Sequence, residues 1–146
     1  MPPAIVPAPS FFPLLGDRVR CLIDGAATGG QFAMFELNTP PGAGSPPHMH
    51  TREDETFHIL EGQVEFWIDG KTVVAGPGTT VFGPRTVPHC FRNPGDKPIR
   101  AIMIATPAGF EHFAARASKM CPEPPPPMPE FARLCEEFGL VLLPPK

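Results

Sequence analysis

The sequence predicts an all-β domain of barrel or sandwich type that ends in two short helices. Three observations carry this. Short apolar segments recur at close, regular spacing between turn signals, which is the pattern of a sandwich or barrel. Proline occurs 23 times and glycine 14 times in 146 residues, a density of breakers that excludes many long helices. Two stretches near the end switch to a period of 3.6 residues.

The first sixteen residues are Pro-rich, and Phe11, Phe12, Leu14 and Leu15 make them too apolar for a free tail. Residues 1–16 are therefore read as an arm packed on the domain. Residues 17–106 carry the strands. Arg18 to Ile23 alternates, residues 25–30 turn, and Gln31 to Leu37 forms a second strand. Pro46-Pro47 forces extended backbone into His48-Met49-His50. Glu55 to Leu60 and Gln63 to Ile68 are strands joined at Glu61-Gly62, and Asp69-Gly70 is a hairpin signal leading into Lys71 to Ala75. Residues 79–82, 89–92 and 99–105 complete the set.

Residues 107–146 form a helical extension. Thr106 and Pro107 fit the N-cap and first position of a helix. Phe110, Phe113, Ala114 and Ala117 then make one apolar face. Pro122 to Pro129 reads as a stiff linker. Phe131, Leu134, Cys135 and Phe138 form a second stripe that Gly139 ends. Both stripes are expected to dock on the barrel.

The formal net charge is −3, and the 12 Lys and Arg residues are scattered. Nothing here tracks a phosphate backbone, so no nucleic-acid partner is expected. No apolar run approaches a membrane span, and no signal peptide is read at the start. A cytoplasmic location and free thiols at Cys21, Cys90, Cys121 and Cys135 follow as expectations. Short edge strands of a small barrel are often covered by a partner copy, so a homodimer is expected.

Four of the five histidines fall in strand-rich sequence. His48 and His50 are two apart and share a strand face. Glu55 opens the next strand and His89 begins another. Imidazole and carboxylate ligands suit Fe, Mn, Ni, Co, Cu or Zn. Three histidines and one glutamate leave open positions for water or substrate. One divalent transition metal on His48, His50, Glu55 and His89 is the cofactor expected.

These residues resemble the cupin family. Gly42-x5-His48-x-His50-x4-Glu55-x6-Gly62 resembles the first cupin motif, and Gly78-x5-Pro84-x-Thr86-x2-His89-x3-Asn93 the second. In the second, Thr86 stands where the family usually has glycine. The fold implied is a small double-stranded β-helix, or jelly-roll barrel. His50 to Phe91 is most similar to the quercetin 2,3-dioxygenase-like single cupins. That resemblance implies a metal-dependent dioxygenase acting on a small aromatic or enolic substrate, with Glu55 as ligand and catalytic base. A non-oxidative isomerase or decarboxylase and a small-molecule-binding sensor are the alternatives.

Strand parity sorts the neighbours. His58 lies an odd number of residues from Glu55 and faces away, and Cys90 is likewise turned away by His89. Glu53 and Asp54 are expected to stay wet in their turn, and His112 to be solvated. Phe57 and Ile59 share the face of Glu55, and Phe91 that of His89. Either Phe32, Met34 and Glu36 or Ala33, Phe35 and Leu37 turn inward. The substrate-pocket candidates are Phe57, Ile59, Phe91, Met34 and Arg85, the last as a contact for an anionic group.

Overall fold

A computed structural model describes residues 1–145. The last residue of the extension lies outside the described residues. The chain forms two antiparallel sheets that face each other across one core.

The six-stranded sheet runs β1 (Phe12–Leu14), β2 (Asp17–Ile23), β3 (Ala33–Thr39), β10 (Ile99–Thr106), β5 (Asp54–Glu61), β8 (Thr80–Gly83). The five-stranded sheet runs β11 (Leu140–Leu142), β4 (His48–His50), β9 (His89–Arg92), β6 (Val64–Ile68), β7 (Lys71–Ala75). From β4 onward the chain passes repeatedly from one sheet to the other, so sequential strands are mostly not neighbours. That interleaving is a jelly-roll barrel.

Alternation within the strands explains the core. Phe57 and Ile59 of β5, Ala101, Met103 and Ala105 of β10, and Val64 and Phe66 of β6 are buried between the sheets. In β3 the inward set is Ala33, Phe35 and Leu37. Met34 therefore points to the outer face and is not a pocket residue, which settles the alternative that the sequence left open. On that outer face Glu36 is also buried, because Arg20 and Arg100 from the flanking strands bond its two carboxylate oxygens.

The arm and the tail differ from expectation in instructive ways. Residues 12–14 of the arm are strand β1, paired with β2. Residues 25–28 are one turn of helix, α1 (Gly25–Thr28), capped by the Asp24 side chain. Thr106 does not cap the next helix. It still belongs to β10, opposite Asp54. The chain reverses at Gly109, whose φ of +142° is left-handed backbone suited to glycine, and α2 (Phe110–Met120) begins there. Glu111 takes over the anchoring, accepting the amides of Gly109 at 2.6 Å and Gly25 at 2.7 Å. The Pro-rich connection bends irregularly to α3 (Glu130–Glu137).

Both helical stripes do dock. Phe113, Ala117, Phe131, Leu134, Cys135 and Leu140 form a second apolar cluster. Phe110 joins it to the barrel core, its ring edge-on to Phe35 at 5.6 Å and to Phe113 at 5.5 Å. The chain after Gly139 then adds β11 to the edge of β4, with Leu140 opposite His50 and Leu142 opposite His48. The sequence reading did not anticipate this strand.

Phe35 is fully buried where the two clusters meet. Phe35→Ala is expected to cost about 3–5 kcal/mol. In urea denaturation the midpoint should fall while the slope with denaturant stays unchanged.

Candidate metal centre

The four expected ligands converge from three strands. His48 and His50 come from β4, and His89 lies opposite His48 on β9 of the same sheet. Glu55 reaches across from β5 of the other sheet. All four are buried, and one ligand atom from each lies within 4.8 Å of the others.

Hydrogen bonds outside the cluster decide which imidazole atoms face inward. The Nδ1–H of His48 donates to the Pro46 carbonyl at 2.7 Å. That of His89 donates to the Val87 carbonyl at 3.0 Å. Nδ1 of His50 bonds Oε1 of Glu53 at 2.6 Å. Each acceptor fixes a tautomer and leaves Nε2 for the centre, as in histidines that ligate metals. The His48 and His50 Nε2 atoms stand 3.1 Å apart. His89 Nε2 is buried with no hydrogen-bond partner and lies 3.5 Å from Glu55 Oε2. The inward nitrogens of His48 and His50 converge on the Glu55 carboxylate, with the unpartnered His89 Nε2 beside them, and this set fits a cation between its members. The absence of thiolate favours an ion that accepts nitrogen and oxygen.

Charges in the cluster are tightly coupled. Burial disfavours a charge on His50, but the Glu55 and Glu53 carboxylates outweigh it and raise the imidazole to about 10. His48 moves the other way, to about 4, through burial and its two histidine neighbours. Burial opposes ionisation of Glu55, yet His50 and His89 hold it well below the usual carboxylate range.

Glu53 corrects an expectation. It is not a wet turn acid: its side chain is 6% exposed and orients His50. Periodicity could not reveal this, but the rule that a ligating imidazole donates its other N–H to an acceptor makes any acid three residues away a candidate. Asp54 is not simply solvated either. Arg85 clamps it through Nε at 3.1 Å and Nη2 at 3.1 Å, with the Arg85 amide at 2.8 Å. Arg85 is thus committed to Asp54 and does not line the pocket. His58 lies on the outer face, bonded to Thr80 at 2.8 Å.

The two motifs also show their backbone roles. Thr86 sits at φ +67°, left-handed backbone that a β-branched residue seldom adopts, so the conformation that glycine normally supplies persists without it. Its amide donates to the His50 carbonyl at 2.6 Å, tying the turn before His89 to β4. Asn93 is buried and bonds the carbonyls of Thr39 and Lys97. A Cβ on Gly44 would stand 2.0 Å from the Phe91 carbonyl oxygen, so only glycine allows that approach.

His48 and Glu55 open onto a cavity of about 100 Å³. The barrel side is Val19, Leu37, Phe57, Phe91 and Met103. The other side is Leu14 and Leu15, Phe110 and Phe113 of α2, Phe131 and Cys135 of α3, and Leu140 and Leu142 of β11. Of the pocket candidates, Phe57 and Phe91 stand in this wall. Ile59 does not: it is 1% exposed in the barrel core. The wall contributed by the extension was not foreseen, because two amphipathic stripes do not say which part of a barrel they cover.

Asp17 also lines the cavity. Burial pushes its carboxyl up from 3.8 to about 6, while the Thr39 hydroxyl and the Arg18 amide pull the other way.

Together these features define a jelly-roll barrel with a candidate metal site beside a mostly apolar pocket. The cupin-domain family pattern matches residues 35–105. The chain is a member of the cupin superfamily. It is 30% identical over 101 residues to the quercetin 2,3-dioxygenase of Bacillus subtilis, covering 68% of this chain but only 30% of that protein. The polyketide cyclase RemF of Streptomyces resistomycificus superposes with TM-score 0.59 at 26% identity, over 73% of this chain and 80% of that one. A Thermotoga maritima protein described as a predicted oxalate decarboxylase shares the fold, with TM-score 0.63 at 21% identity over 70% of this chain and 98% of that one.

Two outcomes are expected. Protons compete with metal for these ligands, so dialysis at about pH 5 should strip bound metal, as read by metal analysis. Glu53→Gln should weaken metal affinity by roughly 10–100-fold in competition with a chromophoric chelator, while His58→Ala leaves it unchanged. Asp17 gives a third. Its folded pKa lies above the unfolded value, so wild-type stability falls as pH rises between about 4 and 6 and stays lower above that. Asp17→Asn lacks this penalty. Its stability advantage in denaturant titrations should grow through the same window to about 3 kcal/mol near neutrality.

Proposed function

We propose that this protein is a metal-dependent dioxygenase acting on a small enolic or aromatic substrate. The single observation behind the proposal is that His48 and Glu55 line a mostly apolar cavity, so a molecule bound there lies against the metal cluster. A divalent transition metal on the four ligands would supply Lewis acidity toward an enolate or phenolate oxygen and access to dioxygen chemistry.

The residues do the rest. Phe57 and Phe91 pack a flat apolar body against the barrel wall. The helical extension excludes water, which strengthens every electrostatic interaction inside. The Glu55 carboxylate borders both the cluster and the cavity, so it is the group placed to take the acidic proton of the substrate. The likeness to quercetin 2,3-dioxygenase supports this reading, although the chain spans less than a third of that protein.

A second reading keeps the same site without oxygen. The similarity to a polyketide cyclase at 26% identity favours it, as does a cavity far smaller than the roughly 300–1,000 Å³ of drug-sized ligand sites. Metal and Glu55 would then promote isomerisation, decarboxylation or ring closure of an enolisable substrate.

Anaerobic titration of Fe(II)-, Co(II)-, Ni(II)- or Mn(II)-loaded protein with catechol, acetylacetone and a flavonol separates these readings. The expected result is a shift in the substrate's absorbance under nitrogen and oxygen uptake on admitting air. Glu55→Gln should reduce that uptake by at least about 100-fold. Turnover under nitrogen would establish the second reading. An unchanged spectrum and no oxygen uptake with every metal would overturn the first.

A further inference from the structure

We propose that Asp17 is the specificity-determining residue of the cavity: it takes a hydroxyl or amine at the end of the substrate remote from the metal-binding oxygen. The inference deepens the proposed function and rests on its premise that the cavity receives a small metal-binding molecule.

The argument starts from strand parity. Asp17 opens β2, whose alternation buries Asp17 and Val19 and exposes Arg18. Val19 belongs to the barrel core, so the carboxylate beside it on the same face also points inward. Only 5% of Asp17 is exposed. It borders the same cavity as His48 and Glu55. Among the described residues, and apart from His48 and Glu55, it is the sole charged side chain in a wall otherwise built mostly from Leu, Phe, Val and Met. Among the described residues no lysine or arginine lines the cavity to neutralise it.

A carboxylate can accept about four hydrogen bonds. The polar neighbours of Asp17 supply few. Its Oδ1 accepts the Arg18 amide at 2.7 Å, and the Thr39 hydroxyl is the other polar group beside it, which leaves lone pairs of the carboxylate unused. Burying an acid in an apolar wall without a cation costs stability, and the fold of the barrel does not require it, since a leucine would match the surrounding residues. A donor delivered by a bound molecule would satisfy the remaining lone pairs. The cavity then has two poles, the metal ligands and Asp17, with aromatic and aliphatic side chains between. The ligand class that matches is a small molecule with a chelating oxygen at one end, an apolar middle and a hydrogen-bond donor at the other.

Hydroxamates give probes of that form. Co(II)-loaded protein is titrated with alkyl hydroxamates of increasing length and with their ω-hydroxy and ω-amino counterparts, and binding is read from the cobalt d–d absorption. The expected result is that at one chain length the ω-hydroxy and ω-amino probes bind roughly 10–100-fold tighter than the alkyl probe. Asp17→Leu should abolish that preference, bringing the ratio of ω-hydroxy or ω-amino to alkyl affinity to about one. Asp17→Asn, which keeps an acceptor but no charge, should retain part of the hydroxyl preference and lose the amine preference. Equal binding of all three probe types at every length, or a preference that survives in Asp17→Leu, would overturn the role of Asp17 with the metal-binding cavity intact. If the alkyl hydroxamates themselves leave the spectrum unchanged, the premise fails and the inference with it.

Discussion

The structure depends on one constraint: a carboxylate from one sheet must meet three imidazoles from the other. Glu55 belongs to β5 of the six-stranded sheet, and His48, His50 and His89 to β4 and β9 of the five-stranded sheet. The sheets must therefore hold a fixed separation and register at this end of the barrel. The apolar pairs beneath the site maintain it, with Phe57 from one sheet packed edge-on to Phe66 from the other at 5.2 Å. The Thr86 amide on the His50 carbonyl ties the last ligand's turn to the first ligands' strand.

Such a cluster is costly to bury. An ionised carboxylate is stable in an apolar interior only with charge and hydrogen-bond partners. Here the solution is a chain of donors and acceptors. Glu53 and Glu55 flank His50, and backbone carbonyls hold the outer nitrogens of His48 and His89. The inward nitrogens are oriented before any metal arrives, which reduces the reorganisation that binding requires.

The helical extension turns a barrel mouth into a chamber. Phe110 bridges the barrel core and the helical cluster, and β11 covers the exposed edge of the ligand strand β4. An unpaired β4 would offer free amides and carbonyls to other chains. The extension therefore contributes to solubility of the edge, to closure of the pocket and to the dielectric around the metal ligands at once.

Much was legible in the sequence because it is written in short-range patterns. Alternation of period two placed His48, His50 and Glu55 inward and His58 outward, and the spacing of the two motifs supplied the ligand set. Breaker density and turn signals marked most of the strands of the barrel. What the sequence could not decide depends on long-range packing. Met34 or Phe35 facing inward was a choice of register that only the pairing of β3 with β10 resolves. Glu53 looked like any turn acid until the fold placed it against His50. Arg85 looked free until Asp54 was brought beside it. Ile59 has the parity of a pocket residue but sits too deep to reach the cavity. Asp17 and the wall made by Phe110, Phe113, Leu140 and Leu142 come from opposite ends of the chain, and no local pattern records that they enclose the same space. The sequence by itself marked the four candidate ligands, through the resemblance to the two cupin motifs, and the barrel, through strand periodicity and turn signals. Tertiary structure decided the chamber around them, because its walls bring together residues as far as 128 positions apart, from Leu14 to Leu142.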